Sequence, residues 1–300
     1  MTVDSETTTA SGSAGLLILR TLWLIVGIFA CATSVIMIKA SESHPVMVAA
    51  YRLLMASIIL TPVFIFHLRQ ERTEYRLEHL KRSFIPAVLL ALHFISWALG
   101  ARLTFAANAT LIVNMVPLVM PFILIVMLRE RIQRREIAGT IIALAGVSII
   151  GISDYTLDPA LLFGDFVCFV SMVLFALYLA LGRANRDFRI VWLYLVPLYW
   201  IAGILCFAVA IAMGLPLGVN SLKEFALLLG IAVIPTIVGH SILNYSVKHF
   251  RGQVVSVVNL SQFIFAGALA YFIFAEIPGT AFYLTALLVV AGAWIVLRRS

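Results

Sequence analysis

Asn114 and Asn259 stand 145 residues apart, each inside an apolar run: "NATLIVNMVPLVM" (108–120) and "VVSVVNLSQF" (254–263). A side-chain amide offers two N–H donors and a carbonyl acceptor, the groups a polar solute would need in a greasy surrounding. Pro117 follows Asn114 closely, lacks an N–H, and disturbs the carbonyl four residues back, at Val113. Freed polar groups persist in hydrocarbon only where protein or a watery cavity satisfies them. The two asparagines are therefore expected to face one cavity from different parts of the chain. The competing reading is that they bond helices together.

His93 and His240 add a second kind of chemistry. A neutral imidazole can hydrogen-bond a solute, and near pH 6.5 it can take a proton. Trp97 and Asn244 follow four residues on, which puts each on the same helix face as its histidine. The alternative is a neutral histidine satisfied by a neighbouring helix. Tyr178 and Gln262 complete the candidate set, with Ser34, Ser171, Tyr245 and Ser256 behind them, because an intrahelical hydroxyl commonly bonds its own backbone. Arg52 lies about a third of the way into an apolar run and would cost about 2.5–3.5 kcal/mol at the centre of a lone helix. Structural anchoring is the preferred role for it over solute binding.

Other chemistries have no residues to carry them. The chain has no HExxH, no GxSxG and no paired intramembrane aspartates, so no catalytic group is expected and the membrane-enzyme reading is weak. It has no GxxxxGK[ST] loop to use ATP. Cys31, Cys168 and Cys206 fit neither a CxxC nor a zinc spacing, so no metal or cofactor is expected. No Asp or Glu falls near the middle of an apolar run, which favours neutral or zwitterionic solutes over organic cations.

The elements that hold these residues follow from composition. Apolar residues make up 63% of the 300 and charged residues 12%, against about 45–50% and about 25% in soluble domains. Apolar stretches recur at 16–38, 45–66, 83–105, 107–128, 134–152, 160–181, 190–213, 224–247, 252–274 and 279–297. Each is long enough to cross a bilayer as a helix. The expected fold is an all-α integral membrane protein of ten transmembrane helices. Residues 1–15, rich in Ser, Thr and Gly, are expected to form a disordered tail.

The net charge of +7 is not a nucleic-acid signal, since the cations sit in short loops between apolar runs. Seventeen lie in one alternate set of loops and ends and three (Lys39, Arg102, Lys223) in the other. That asymmetry predicts that both termini are cytoplasmic. The expected partners are the lipid bilayer and a small-molecule substrate, with the chain a monomer or a dimer.

An internal repeat organises the ten runs. A shift of 145 places Phe105 on Phe250, Asn108 on Gln253 and Asn114 on Asn259; a shift of 146 places Glu130 on Glu276. The halves are then 16–152 and 153–300, five runs each. An odd-numbered unit must insert its second copy upside down, giving two inverted five-helix repeats with a binding site near the midplane. Gly100, Pro121, Pro235 and Gly239 are candidate hinges near run ends.

Several stretches carry a resemblance. "PVMVAAYRLLMA" (45–56), with Arg52, resembles the second helix of EamA-type members of the drug/metabolite transporter superfamily. Residues 109–151, with Pro117 and the acidic turn at Glu130, resemble the fourth and fifth helices, and "GDFVCFVSMVLFALYLALGR" (164–183) the sixth. The chain departs from that pattern at "CA" (31–32), where Trp-Gly is usual, and at Gln262, where a proline is common. The resemblance implies a secondary transporter of the bacterial inner membrane working by alternating access. An exporter of amino acids or amino-acid-like metabolites, similar to YddG-like exporters, leads. Carriers of nucleotide-linked or phosphorylated solutes and drug exporters are the alternatives.

Overall fold

The structure is a computed structural model that describes residues 4–70, 76–104, 106–153, 159–275, 277 and 279–298. Thirteen α-helices and one π-helical segment account for the described elements. In the first half these are α1 (Asp4–Ala40), α2 (Pro45–Gln70), α3 (Leu77–Leu103), α4 (Ala106–Val113), α5 (Val116–Leu128) and α6 (Arg134–Ser153). In the second they are α7 (Pro159–Ala184), α8 (Trp192–Ala212), α9 (Leu222–Ile231), the π segment (Ala232–His240), α10 (Ser241–His249), α11 (Gly252–Asn259), α12 (Gln262–Phe274) and α13 (Thr280–Leu297). Taking α4 with α5, α9 with the π segment and α10, and α11 with α12 gives ten crossing rods. Nine helical segments among the described residues are long and apolar enough to cross a membrane, and α6 is the tenth rod.

Helix α1 is continuous from Asp4, through most of the stretch expected as a tail. Extending an existing helix adds one hydrogen bond per residue without a new nucleation cost. Residues 1–3 lie outside the described residues, as do Phe105 and Glu276 of the repeat alignment. Bulky apolar side chains such as Phe122, Val126, Phe272 and Leu287 point outward, the side that lipid would cover.

The packing has the symmetry the repeat requires. Helix α1 packs on the π segment and α10, and its counterpart α7 packs on α3, the counterpart of that rod. Three rods pack on their own counterparts: α2 on α8, α6 on α13, and α4–α5 on α11–α12 through α4 with α12 and α5 with α11. Helices α6 and α13 come close at Gly139 and Gly292, where a Cβ on Gly139 would come within 2.6 Å of the Gly292 carbonyl oxygen. The 146-residue shift carries this pair onto Thr285 and Gly146, and Thr285 Oγ1 donates to the Gly146 carbonyl at 2.6 Å. Two contacts of the same interface are thus images of each other.

The broken rods repeat as well. Helix α4 ends at Val113 and α5 starts at Val116, with Pro117 in the first turn, where its missing N–H is not needed. Helix α11 ends at Asn259 and α12 starts at Gln262, with no proline between them. The chain tightens alike at both breaks: Met115 N–H to the Ile112 carbonyl (3.0 Å) and Leu118 N–H to the Met115 carbonyl (2.9 Å) in the first, Ser261 N–H to the Val258 carbonyl (3.0 Å) and Ile264 N–H to the Ser261 carbonyl (3.0 Å) in the second. Both rods then end on a left-handed residue, Arg129 (φ 52°) and Ala275 (φ 55°). Neither is glycine, so the shared cap geometry comes from the fold and not from a permissive residue type.

Candidate solute cavity

A cavity of about 30 Å³ lies where the halves meet. Ser34, Arg52, His93, Phe94, Trp97 and Asn114 line it from the first half, and Phe175, Pro235, His240 and Gln262 from the second. It has room for about one water and is too small for an organic solute.

Three amides join the halves beside it. Asn259 Nδ2 donates to Asn114 Oδ1 (2.7 Å), Asn114 Nδ2 donates to Gln262 Oε1 (3.2 Å) and to the Thr110 carbonyl (2.7 Å), and Gln262 Nε2 donates to Asn259 Oδ1 (3.4 Å). Gln262 opens α12 as Val116 opens α5, and its amide closes the cluster. Asn114 and Gln262 reach the cavity wall, whereas Asn259 is buried behind them.

The two histidines are placed differently. His93 Nδ1 meets the Ser171 carbonyl at 3.0 Å and Ser171 Oγ at 2.8 Å. A carbonyl only accepts, so this nitrogen carries the proton. Its ring stacks on Phe175, with centroids 4.7 Å apart. His240 meets Phe94 edge-on at 4.8 Å, and its Nδ1 is buried without a hydrogen-bond partner. Trp97 Nε1 donates to Ser34 Oγ at 3.2 Å. Tyr178 and Asn244 bond each other one turn from His240 and do not line the cavity; Asn244 borders a smaller void of about 10 Å³.

Arg52, expected as an anchor, forms part of the wall. Its Nε donates to Thr236 Oγ1 (2.9 Å) and its Nη1 to Ser34 Oγ (3.4 Å), and its guanidinium lies 3.6 Å from the Phe94 ring centre. The π segment supplies this partner. Pro235 has no N–H to give the Ile231 carbonyl, and Thr236 Oγ1 donates to that oxygen at 2.8 Å. Gly239 lets α1 come close: a Cβ there would lie 2.5 Å from Cys31 Sγ. Single π turns inside helices recur at functional sites. Only "P" and "G" at 235 and 239 hinted at it in the sequence. Phe94 and Phe175 gave no signal, since aromatic residues abound in every run.

Both ends of the cavity are closed by contacts between the halves. At the end with the basic loops, Arg183 bonds Glu130 (3.4 Å), Arg251 bonds Glu136 (3.2 Å), and Arg82 forms a two-pronged pair with Asp187. At the other end Glu224 of α9 accepts from Ser43 Oγ (2.6 Å) and from the backbone N–H groups of Glu42 (3.0 Å) and Ser43 (3.1 Å).

This arrangement, two inverted bundles around a polar junction, has matches among known proteins. Residues 19–152 and 162–298 each match the EamA-like transporter family. The chain belongs to that family. EamA-like proteins are transporters of small solutes, which makes this chain a multi-pass membrane transporter and gives its closed central cavity a function to be read against. A solved structure described as "Crystal structure of protein" shares the fold, with a TM-score of 0.74 at 16% identity, covering 94% of this chain and 99% of that one. No curated protein matches.

Proposed function

We propose that this EamA-like transporter exports amino acids or amino-acid-like metabolites across a bacterial inner membrane, both termini lying in the cytoplasm. The observation that carries this reading is the wall of the central cavity. Among the described residues it holds one cation, Arg52, no carboxylate, and several neutral hydrogen-bonding groups. A zwitterion suits such a wall. A phosphorylated solute would call for several Lys or Arg, and an organic cation for an acidic group.

Transport proceeds by alternating access. The halves rock about the junction at Asn114 and Asn259, and the ion pairs at the basic end and the Glu224 contacts at the other open in turn. The seventeen-to-three asymmetry of the cations supports the orientation. Counterflow in proteoliposomes tests the cargo against labelled amino acids, nucleosides and organic cations. Saturable exchange of at least one neutral amino acid is expected. Exchange of nucleosides or methyl viologen with no amino acid moving would reject the reading.

A further inference from the structure

We propose that Arg52 and His240 form a subsite that holds a carboxylate of the transported solute. The inference deepens the reading of the protein as a solute carrier and rests on it. Arg52 is 1% exposed, and no Asp or Glu among the described residues pairs with it. A guanidinium is always charged, so at this depth its charge is left without a counter-ion. The protein's own contacts, with Thr236, Ser34 and Phe94, are to neutral groups.

The geometry leaves one edge of the guanidinium for a ligand. Thr236 takes Nε, Ser34 takes Nη1 only at 3.4 Å, and Nη2 is buried with no partner. The end-on Nη1/Nη2 edge is the one that grips a carboxylate with two parallel N–H bonds. His240 Nδ1 is also buried and unpartnered, in a residue that lines the same cavity. The two groups flank one ring: Arg52 lies on Phe94, and the His240 ring meets the same ring edge-on. Two orphaned polar groups at one cavity fit one acceptor-only ligand. A carboxylate accepts from both, and its single negative charge matches the single cation. The cavity of about 30 Å³ must widen to admit it, and its walls come from both halves, which move apart on opening.

The test uses the whole chain in detergent at pH 7.5 and compares matched acids and amides: L-leucine with L-leucinamide, propionate with propionamide. Binding is read by the shift in melting temperature and by isothermal titration. At least one acid is expected to bind roughly 10–100-fold more tightly than its amide. Arg52→Gln should abolish the difference, Arg52→Lys should restore part of it, and His240→Phe should weaken the acid roughly 3–10-fold. If Arg52→Gln does not fold, the acid-to-amide ratio of the wild-type chain still decides. Equal binding of acids and amides, or no binding by either acid, overturns the subsite. Leucine and leucinamide binding alike would remove the subsite and leave amino-acid transport standing. Propionate bound over propionamide, with no amino acid of the counterflow panel bound, would keep the subsite and remove the amino-acid reading.

Discussion

Asn259 donates to Asn114 across 2.7 Å. The bond joins the two halves of the chain at the break in each discontinuous rod, Asn259 closing α11 and Asn114 following the last residue of α4.

Removing both partners should cost less than the two single removals added together. Asn259→Leu leaves Asn114 Oδ1 unpaired in a buried site, at about 1–3 kcal/mol. In the double variant with Asn114→Leu both amides are gone, and the combined loss should fall short of the sum by roughly 0.5–2 kcal/mol. Melting of the four proteins in detergent gives the coupling. Strict additivity would show that the bond contributes nothing to joining the halves.

Gly139→Ala should destabilise the α6–α13 interface by about 1–3 kcal/mol, because the new methyl meets backbone that cannot turn aside. Gly218→Ala, where a Cβ meets nothing within 4 Å, serves as the control. Thermal unfolding distinguishes them, and equal melting temperatures would contradict the close approach.

Glu136 is fully buried and bonds Arg251 and the Gln133 N–H (2.7 Å). Glu136→Gln should weaken the closed basic end by about 1–3 kcal/mol. Amide hydrogen exchange is expected to rise in residues 129–136 and 249–253 and to stay unchanged in residues 41–44 at the other end. A uniform rise would mean general destabilisation and no latch.

At the same end, Arg82 holds the Asp187 carboxyl below its ordinary value, chiefly through their hydrogen bonds. A folded-state value below the unfolded one, about 3.9, means the contribution is complete above that pH and is lost as pH falls through the lower folded value. Because Asp187 is largely exposed, the effect is small. Between pH 5 and about 3 the wild-type melting temperature should fall more steeply than that of Asp187→Asn. Parallel curves would show that the pair adds nothing.

What the sequence made legible was whatever depends on composition and local spacing. Apolar length set the ten rods, and Pro117 marked the first broken rod at Asn114. The second break carries no proline and was legible only through its repeat counterpart. The wall of the cavity was half legible. His93, Trp97, Asn114, His240 and Gln262 stood out as polar or amphipathic groups in greasy runs, and the structure brings them together. Arg52 was read as an anchor because a lone cation near a helix end can reach outward. Here Thr236, Ser34 and Phe94, from three other helical elements, hold it inward. Tyr178 and Asn244 looked equivalent to the others on spacing, yet they bond each other outside the cavity. Contacts between distant rods decide such placements, and no local pattern records them.

Alternating access requires that the cavity between the halves open to each side of the membrane in turn. Cys31 lines it and is a free thiol, as are Cys168 and Cys206 elsewhere in the core. With Cys168 and Cys206 replaced by alanine, an impermeant methanethiosulfonate can be applied to right-side-out and to inside-out vesicles. Modification of Cys31 from both sides, slowed from both by a transported amino acid, is the predicted result. Modification from one side only, whatever solute is present, would rule out alternating access.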